Sequence, residues 1–341
     1  MPRIDMDALE DEWEDEIGRD GRSGRRAVKY SPAAQERIDE HEVGRVVGVD
    51  RGHVDILFEG EAMTARYAGS MRRTRVVVAD RVRVRPPKHE TDVARVVDRL
   101  PRDTILQRSG DDLEDDERVV VANADQVAIV IAADHLERGA GFLDRVLVAA
   151  SVGGIDPVVV INRIDLVDDR SEVEVVRARY EAIGLPVVVT SAVTEEGVHV
   201  LLQRLSGSWT AFTGHSGVGK SSLFNVLVPD AEREVGEMGR RGGRHTTVAS
   251  RALPVPGLDA WLIDTPGVRS FGLGALTALD VANHVPELRG LDCALDDCLH
   301  DGEPGCRIGE APIAPERLAS YRRLLGAVRG DDPYDDAEGS A

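Results

Sequence analysis

Gly214-His215-Ser216-Gly217-Val218-Gly219-Lys220-Ser221 fits the pattern G-x-x-x-x-G-K-[ST], and its reading decides the fold. The apolar stretch Trp209 to Phe212 leads into it and the helical-looking Ser222 to Leu227 follows, so strand, glycine loop and helix come in the order a phosphate loop needs. Glycines at 214, 217 and 219 let the backbone N–H groups from His215 to Ser222 turn inward around phosphate oxygens, and the helix amino terminus adds its partial positive charge. Lys220 is placed to bridge the β- and γ-phosphates, and the Ser221 hydroxyl to ligate Mg²⁺. Lysine occurs only at positions 29, 88 and 220 in a chain whose other basic residues are all arginine. An ammonium where this chemistry calls for one is therefore not background.

Downstream, Asp264-Thr265-Pro266-Gly267 closes the apolar run Ala260 to Ile263, which puts Asp264 at a strand end facing Mg²⁺ and the Gly267 N–H toward the γ-phosphate. Between the two motifs, the Gly- and Arg-rich stretch Gly236 to Gly243 runs into Arg244-His245-Thr246-Thr247. A mobile first switch belongs there, with Thr247 preferred over Thr246 as its Mg²⁺ ligand. The residue after Gly267 is Val268, which cannot orient an attacking water, so His245 is the nearest candidate for that task.

Upstream, Asn162-Arg163-Ile164-Asp165 follows the strand-like Pro157 to Ile161. A carboxylate at 165 can accept from both the N1–H and the 2-amino group of guanine, whereas adenine offers neither donor. GTP is favoured over ATP. Asn162 would brace the loops, and the stem of Arg163, which stands where the usual motif has lysine, would cover the base face. Thr190-Ser191-Ala192, again at a strand end, supplies the remaining guanine loop, with the Ala192 N–H aimed at O6. Familiar GTPases run from phosphate loop to base loops, and here the order is reversed. Circular permutation preserves such a site when the original termini lie close together.

The rest of the 341 residues divides by texture. With 42% hydrophobic and 30% charged residues the chain is globular and long enough for two or three domains. No apolar run approaches the ~20 residues of a membrane span, and the acidic start carries no secretory signal, so a cytoplasmic protein is expected. A net charge of −19 argues against wholesale coating of nucleic acid, yet residues 41–110 hold 14 basic against 10 acidic side chains. Within that region the runs Val43 to Val49, Val54 to Phe58, Met63 to Tyr67, Val76 to Val84 and Ala94 to Val97 suit a small closed barrel of the OB type. Arg72, Arg73, Arg75, Arg81, Arg83, Arg85 and Lys88 crowd one part of it, and alternation puts 81, 83 and 85 on one face, suited to a phosphate backbone. From Val119, apolar runs (Gln126 to Ala132, Pro157 to Ile161, Pro186 to Thr190) alternate with helices from Phe142 and over Glu172 to Ala182, as in a parallel sheet covered on both faces. Near the end, Cys293-x4-Cys298-x-His300-x5-Cys306 contains every cysteine of the chain and completes a tetrahedral ligand set for one structural Zn²⁺. A helix over Pro315 to Val328 follows.

These residues resemble the ribosome small-subunit-dependent GTPase A family, RsgA, of circularly permuted bacterial GTPases. The likeness covers residues 42–328 and rests on the barrel, Asn162 to Asp165, Ser191-Ala192, Gly214 to Ser221, His245 to Thr247, Asp264 to Gly267 and the zinc spacing. It implies GTP hydrolysis to GDP stimulated by the small ribosomal subunit, a part in late subunit maturation, and rRNA contacts through barrel and zinc domains. It also implies His245 as the hydrolysis residue. The expected architecture is multi-domain α/β with β: a disordered charged tail over 1–41, an OB-type β-barrel over 42–105, a circularly permuted P-loop GTPase domain over 106–284, a helical zinc-binding domain over 285–330 and an acidic tail over 331–341. A monomer without membrane contact is expected. Arg163 departs from the family's lysine, and Gly217 gives no support for the asparagine-dependent K⁺ site of some permuted relatives.

Overall fold

The computed structural model describes Ile38 and residues 41–50, 52–71, 74–87, 89, 92–107, 119–229, 250–265 and 276–330. They form two compact units, one ending at Val76 and resuming over Asp80–Pro101, the other comprising Val77–Ala79 and the residues from Arg102 onward.

In the first unit, β1 (Glu42–Asp50), β2 (His53–Phe58) and β3 (Glu61–Tyr67) form a meander, followed by β4 (Arg81–Arg85) and β5 (Ala94–Arg99). The β2–β3 hairpin turns at Glu59 and Gly60, both with left-handed φ (52° and 84°), the backbone of a tight two-residue turn. β3 pairs parallel with β5, β5 antiparallel with β4, and β4 antiparallel with β1. Five strands therefore close on themselves, the expected barrel. Val46, Val54, Ile56, Phe58, Val82, Val84 and Val96 fill its interior. Burial of Val82 and Val84 leaves Arg81, Arg83 and Arg85 on the outer side of β4, where Arg83 Nη1 donates to the His41 carbonyl at 2.7 Å. The strand expected from Val76 begins only at Arg81. Ala79 takes a left-handed φ of 67° and breaks the run, while Val78, itself part of the second unit, bridges Val121 of that same unit.

The second unit is built on β8 (Gln126–Ala132), β9 (Asp156–Asn162), β10 (Val187–Val189), β11 (Trp209–Thr213), β12 (Arg251–Pro254) and β13 (Trp261–Asp264). They lie in the order β10-β9-β8-β11-β13-β12, all parallel except that β12 runs antiparallel to β13. A short antiparallel pair, β6 (Ile105–Gln107) and β7 (Val119–Ala122), precedes them. The helices are α1 (Leu136–Val152), α2 (Ser171–Glu181), α3 (Val198–Leu205), α4 (Lys220–Leu227), α5 (Ala278–His284) and α6 (Pro315–Arg329). Val127 to Ala132 are buried without alternation, as strands covered on both faces must be. From β8 the chain winds outward through β9 and β10, then restarts at β11 and winds the other way to β13. The reversal opens a crevice beyond the carboxyl ends of β8 and β11, where open α/β sheets bind ligands.

α5 starts with a reciprocal cap in which the Asp280 N–H donates to Thr277 Oγ1 at 3.1 Å and Asp280 Oδ2 accepts from the Thr277 N–H at 2.8 Å. α5 and α6 pack through Val281, Val285, Tyr321, Leu324 and Leu325 against Val148 of α1. Beneath them Arg317 is buried. It reaches both oxygens of Glu287 (2.7 and 3.1 Å) and also donates to Asp144 of α1, which accepts from Ser320 and from the Tyr180 hydroxyl as well. No helix among the described residues is long and apolar enough to cross a membrane.

Candidate functional site

The phosphate loop leaves the fully buried end of β11 and enters α4 at Lys220. Gly214 and Gly219 are required there by space as well as by backbone. A Cβ on Gly214 would lie 2.3 Å from the Val130 carbonyl, and one on Gly219 (φ +85°) would lie 2.5 Å from Asn162 Nδ2. Gly217 has the same left-handed φ (+86°) with open space around it. Ser216, Ser221 and Ser222 are exposed, Val218 is buried, and the His215 ring lies 4.4 Å from that of Phe142. Lys220 Nζ donates to the carbonyls of Gly214 (2.8 Å) and His215 (3.2 Å), folded over its own loop.

Burial holds the Lys220 ammonium below the ordinary lysine value, opposed by the nearby Asp264 carboxylate. Asp264 ends β13, in register with Phe212 of β11. Burial raises its carboxyl above the usual carboxylate value, opposed by Lys220 and by the Thr265 N–H. Each of these half-buried charges is the other's main compensation. Thr265 Oγ1 donates to the Phe212 carbonyl at 2.7 Å, tying the start of the sensor segment to the phosphate-loop strand.

The upstream motif converges on the same loop. Asn162, at the end of β9 and 1% exposed, donates through Nδ2 to the Val218 carbonyl at 3.0 Å and accepts from Thr190 Oγ1 at 3.2 Å. One amide thus ties three loops together. Arg163, in a left-handed conformation (φ 70°), donates from Nη1 to the Gly217 carbonyl at 3.1 Å, and its Nη2 lies 3.2 Å from Asp134 Oδ2. Ser191, fully buried, donates from Oγ to Asp165 Oδ1 at 2.5 Å while accepting from the N–H groups of Val193 and Thr194. Asp165 itself is exposed, and Ala192 is partly buried in the same loop. The two loops are also strapped at the surface by the Arg170–Glu196 ion pair at 2.6 Å.

Cys293, Cys298, His300 and Cys306 bring one ligand atom each to within 4.8 Å of all the others. Edges of a tetrahedron with Zn–S bonds of ~2.3 Å run to about 3.8 Å, so the cluster has the size such an ion requires. The His300 ring nitrogen Nδ1 lies 3.5 Å from Cys293 Sγ, and the backbone N–H groups of Arg307 and Ile308 point at Cys293 and Cys306 sulfurs (3.3 and 3.4 Å), as thiolates need. Glu303 accepts from the N–H groups of Leu299 (3.0 Å) and Asp301 (2.8 Å) and shapes the loop. Without a metal, burial and the neighbouring thiols push the Cys298 thiol up to about 12. The three thiols and one imidazole fit a closed structural Zn²⁺ site.

Of the expected residues, Arg72, Arg73, Lys88, His245, Thr246, Thr247 and Gly267 lie outside the described residues, as do the expected acidic tail over 331–341 and nearly all of the expected tail over 1–41. The other expected nucleotide and metal residues fall into these two clusters, and Arg81, Arg83 and Arg85 lie apart from them on β4. Sequence reasoning passed over Thr190 as an Asn162 partner and Asp134 as an Arg163 partner. The available signal was position, since each lies at the carboxyl end of a sheet strand.

Fold and loop order together define the class, a circularly permuted P-loop GTPase. The RsgA GTPase family profile matches residues 99–274. The small ribosomal subunit biogenesis GTPase RsgA of Ectopseudomonas mendocina is 36% identical over 330 residues, covering 92% of this chain and 94% of that protein. That of Azotobacter vinelandii is 35% identical, covering 89% and 92%. The chain belongs to the RsgA GTPase family. Among solved structures, YjeQ from Thermotoga maritima superposes with a TM-score of 0.69 at 27% identity, over 84% of this chain and 98% of that one. The circularly permuted GTPase YloQ shares the fold with a TM-score of 0.66 at 22% identity, over 85% and 96%.

Proposed function

We propose that this protein is a Mg²⁺-dependent GTPase of small ribosomal subunit biogenesis, binding the subunit in its GTP form and leaving after hydrolysis. The observation that carries the reading is the Asn162 and Arg163 tie to the phosphate-loop carbonyls, in a chain of the RsgA GTPase family. Base-selecting and phosphate-binding loops that are wired together can hold opposite ends of one nucleotide. Asp165, oriented by Ser191, accepts from guanine N1–H and the 2-amino group, the Arg163 stem covers the base face, and the Ala192 N–H meets O6. Lys220 exchanges the Gly214 and His215 carbonyls for β- and γ-phosphate oxygens, whose charge restores what burial takes from its ammonium. Mg²⁺, when bound, would neutralise phosphate charge, with Ser221, Thr247 and, through water, Asp264 as its holders. Thr247 and the Gly267 N–H order around the γ-phosphate, and His245 positions the attacking water.

The chain's modules divide the remaining work. The barrel over 42–105 meets rRNA phosphates with the outer arginines of β4. The GTPase domain over 106–284 reports nucleotide state. The segment 285–330, folded around one Zn²⁺ held by Cys293, Cys298, His300 and Cys306, forms a second rRNA-facing surface. The protein acts as a monomer in the cytoplasm. GTP turnover with and without purified small ribosomal subunits tests the proposal. Slow intrinsic turnover strongly raised by subunits is expected, and equal rates in both would overturn it.

A further inference from the structure

Asp134 lies two residues beyond the carboxyl end of β8, in the single helical turn Ala133–His135, beside the crevice where the direction of strand winding reverses. Its carboxylate has an uneven environment. Oδ2 faces Arg163 Nη2 at 3.2 Å, with His135 Nε2 at 3.7 Å, while Oδ1 is buried and has no hydrogen-bond partner among the described residues. A carboxylate kept only for stability would have both oxygens satisfied, or be replaced by an apolar group of the same size. The opposite end of the same guanidinium is held by the Gly217 carbonyl. Two anchors on different nitrogens fix the plane of a guanidinium. One anchor leaves it free to swivel.

We propose that Asp134 is a positioning residue for nucleotide recognition: it locks the Arg163 guanidinium in the plane that lets the side chain cover the guanine face. The inference rests on the proposed role of Asn162 to Asp165 as the guanine loop. Arginine presents its donors in a rigid planar fork with distinct ends, and a second acceptor is needed to orient that fork. Lysine is a point charge with rotatable donors, for which one carbonyl suffices. Asp134 is thus the counterpart that arginine at 163 requires, and it acts by ordering Arg163 before the nucleotide arrives, so that less freedom is lost on binding.

The test is a double-mutant cycle on the full-length protein, with GDP affinity and dissociation rate measured for wild type, Asp134→Ala, Arg163→Ala and the double variant, together with the thermal midpoint of each without nucleotide. With Arg163 present, Asp134→Ala is expected to weaken GDP binding about tenfold, mainly through faster dissociation. With Arg163→Ala in place, the same substitution should change GDP affinity less than about twofold. Asp134→Asn, which keeps an acceptor oxygen, should recover part of the loss. An equal affinity loss from Asp134→Ala in both backgrounds, or a loss that merely follows the thermal midpoint, would overturn the proposal. Arg163→Ala and Asp165→Ala separate it from the reading beneath it. If neither weakens GDP binding nor alters preference for GDP over ADP, the guanine-loop assignment itself fails. If both do and the cycle shows no coupling, only Asp134 has been misassigned.

Discussion

Gly217→Ala and Gly219→Ala impose the same backbone strain and differ in one contact, so the pair measures what ties the phosphate loop to the base loop. Both positions have φ near +86° (+86° and +85°), a conformation that costs an alanine roughly 1–2 kcal/mol. At Gly217 the added Cβ meets nothing within 4 Å. At Gly219 it lies 2.5 Å from Asn162 Nδ2, so a buried amide must move away from the Val218 carbonyl and from Thr190 Oγ1. Two lost hydrogen bonds at about 1 kcal/mol each bring the expected total for Gly219→Ala to about 3–4 kcal/mol. At about 2–4 °C per kcal/mol for a unit of this size, the thermal midpoint should fall by about 2–8 °C for Gly217→Ala and about 6–16 °C for Gly219→Ala. Asn162→Ala removes the obstructing atom. Added to that background, Gly219→Ala should cost only the strain, leaving a coupling of about 2 kcal/mol in the cycle. Equal midpoints for the two glycine variants, or additivity of Asn162→Ala and Gly219→Ala to within about 0.5 kcal/mol, would refute the steric argument.

Asp264 has a folded value raised above 3.8, so its contribution to the stability of the nucleotide-free protein is present below pH 3.8 and is lost as pH rises through the raised value. Cation binding needs the carboxylate and has the opposite slope: the Mg²⁺-dependent share of GDP affinity should fall on acidification at a pH above 3.8, and Asp264→Asn should abolish that transition in a calorimetric titration. Metal analysis should give one Zn²⁺ per chain, and Cys298→Ser or a strong chelator should deprotect the amides of 293–306 in hydrogen exchange while GDP binding survives. Unchanged protection after metal removal would mean that the segment holds itself together without the ion.

Residue type at fixed short spacing singled out Gly214 to Ser221, Asn162 to Asp165 and the Cys293, Cys298, His300 and Cys306 set, which the structure gathers into two clusters, because each pattern answers a local chemical demand that few other residues can meet. Partnerships across long separations were not legible. Asn162 meets Val218 at a separation of 56 residues and Asp144 meets Arg317 at 173, and nothing local to either residue specifies the other. Short elements escaped for a different reason. α3 repeats its buried Val198, Leu201 and Leu205 at helical spacing but for little more than two turns, and α5 buries Val281 and Ala282 alone, so neither pattern runs long enough to stand out from a loop. The expected strand from Val76 failed at Ala79 and Asp80, where β-rich composition continues through a left-handed residue that composition cannot reveal.

Arg317 decides how the metal segment relates to the nucleotide sheet. Two carboxylates, Asp144 and Glu287, share its guanidinium in the interior, a net negative group whose burial costs stability that apolar packing of the same volume would not. What apolar packing lacks is register. Leucines along α1 and α6 could slide past one another, whereas a bidentate pair to Glu287 and a second bond to Asp144 admit one rotation and one height. α6 carries that register onward, because the Tyr321 hydroxyl donates to the Leu299 carbonyl and Arg329 reaches Asp301 at 2.7 Å, the residues on either side of His300. From Arg317 to Arg329 is about 18 Å of helix at 1.5 Å per residue. A ligand set grouped around one ion is thereby held at a set height along a rod whose other end is keyed to α1, the helix that touches the phosphate loop through Phe142 and His215. Removing Arg317 leaves two buried carboxylates without their cation, at about 3–5 kcal/mol, so the joint holds its register or breaks and has little capacity to flex.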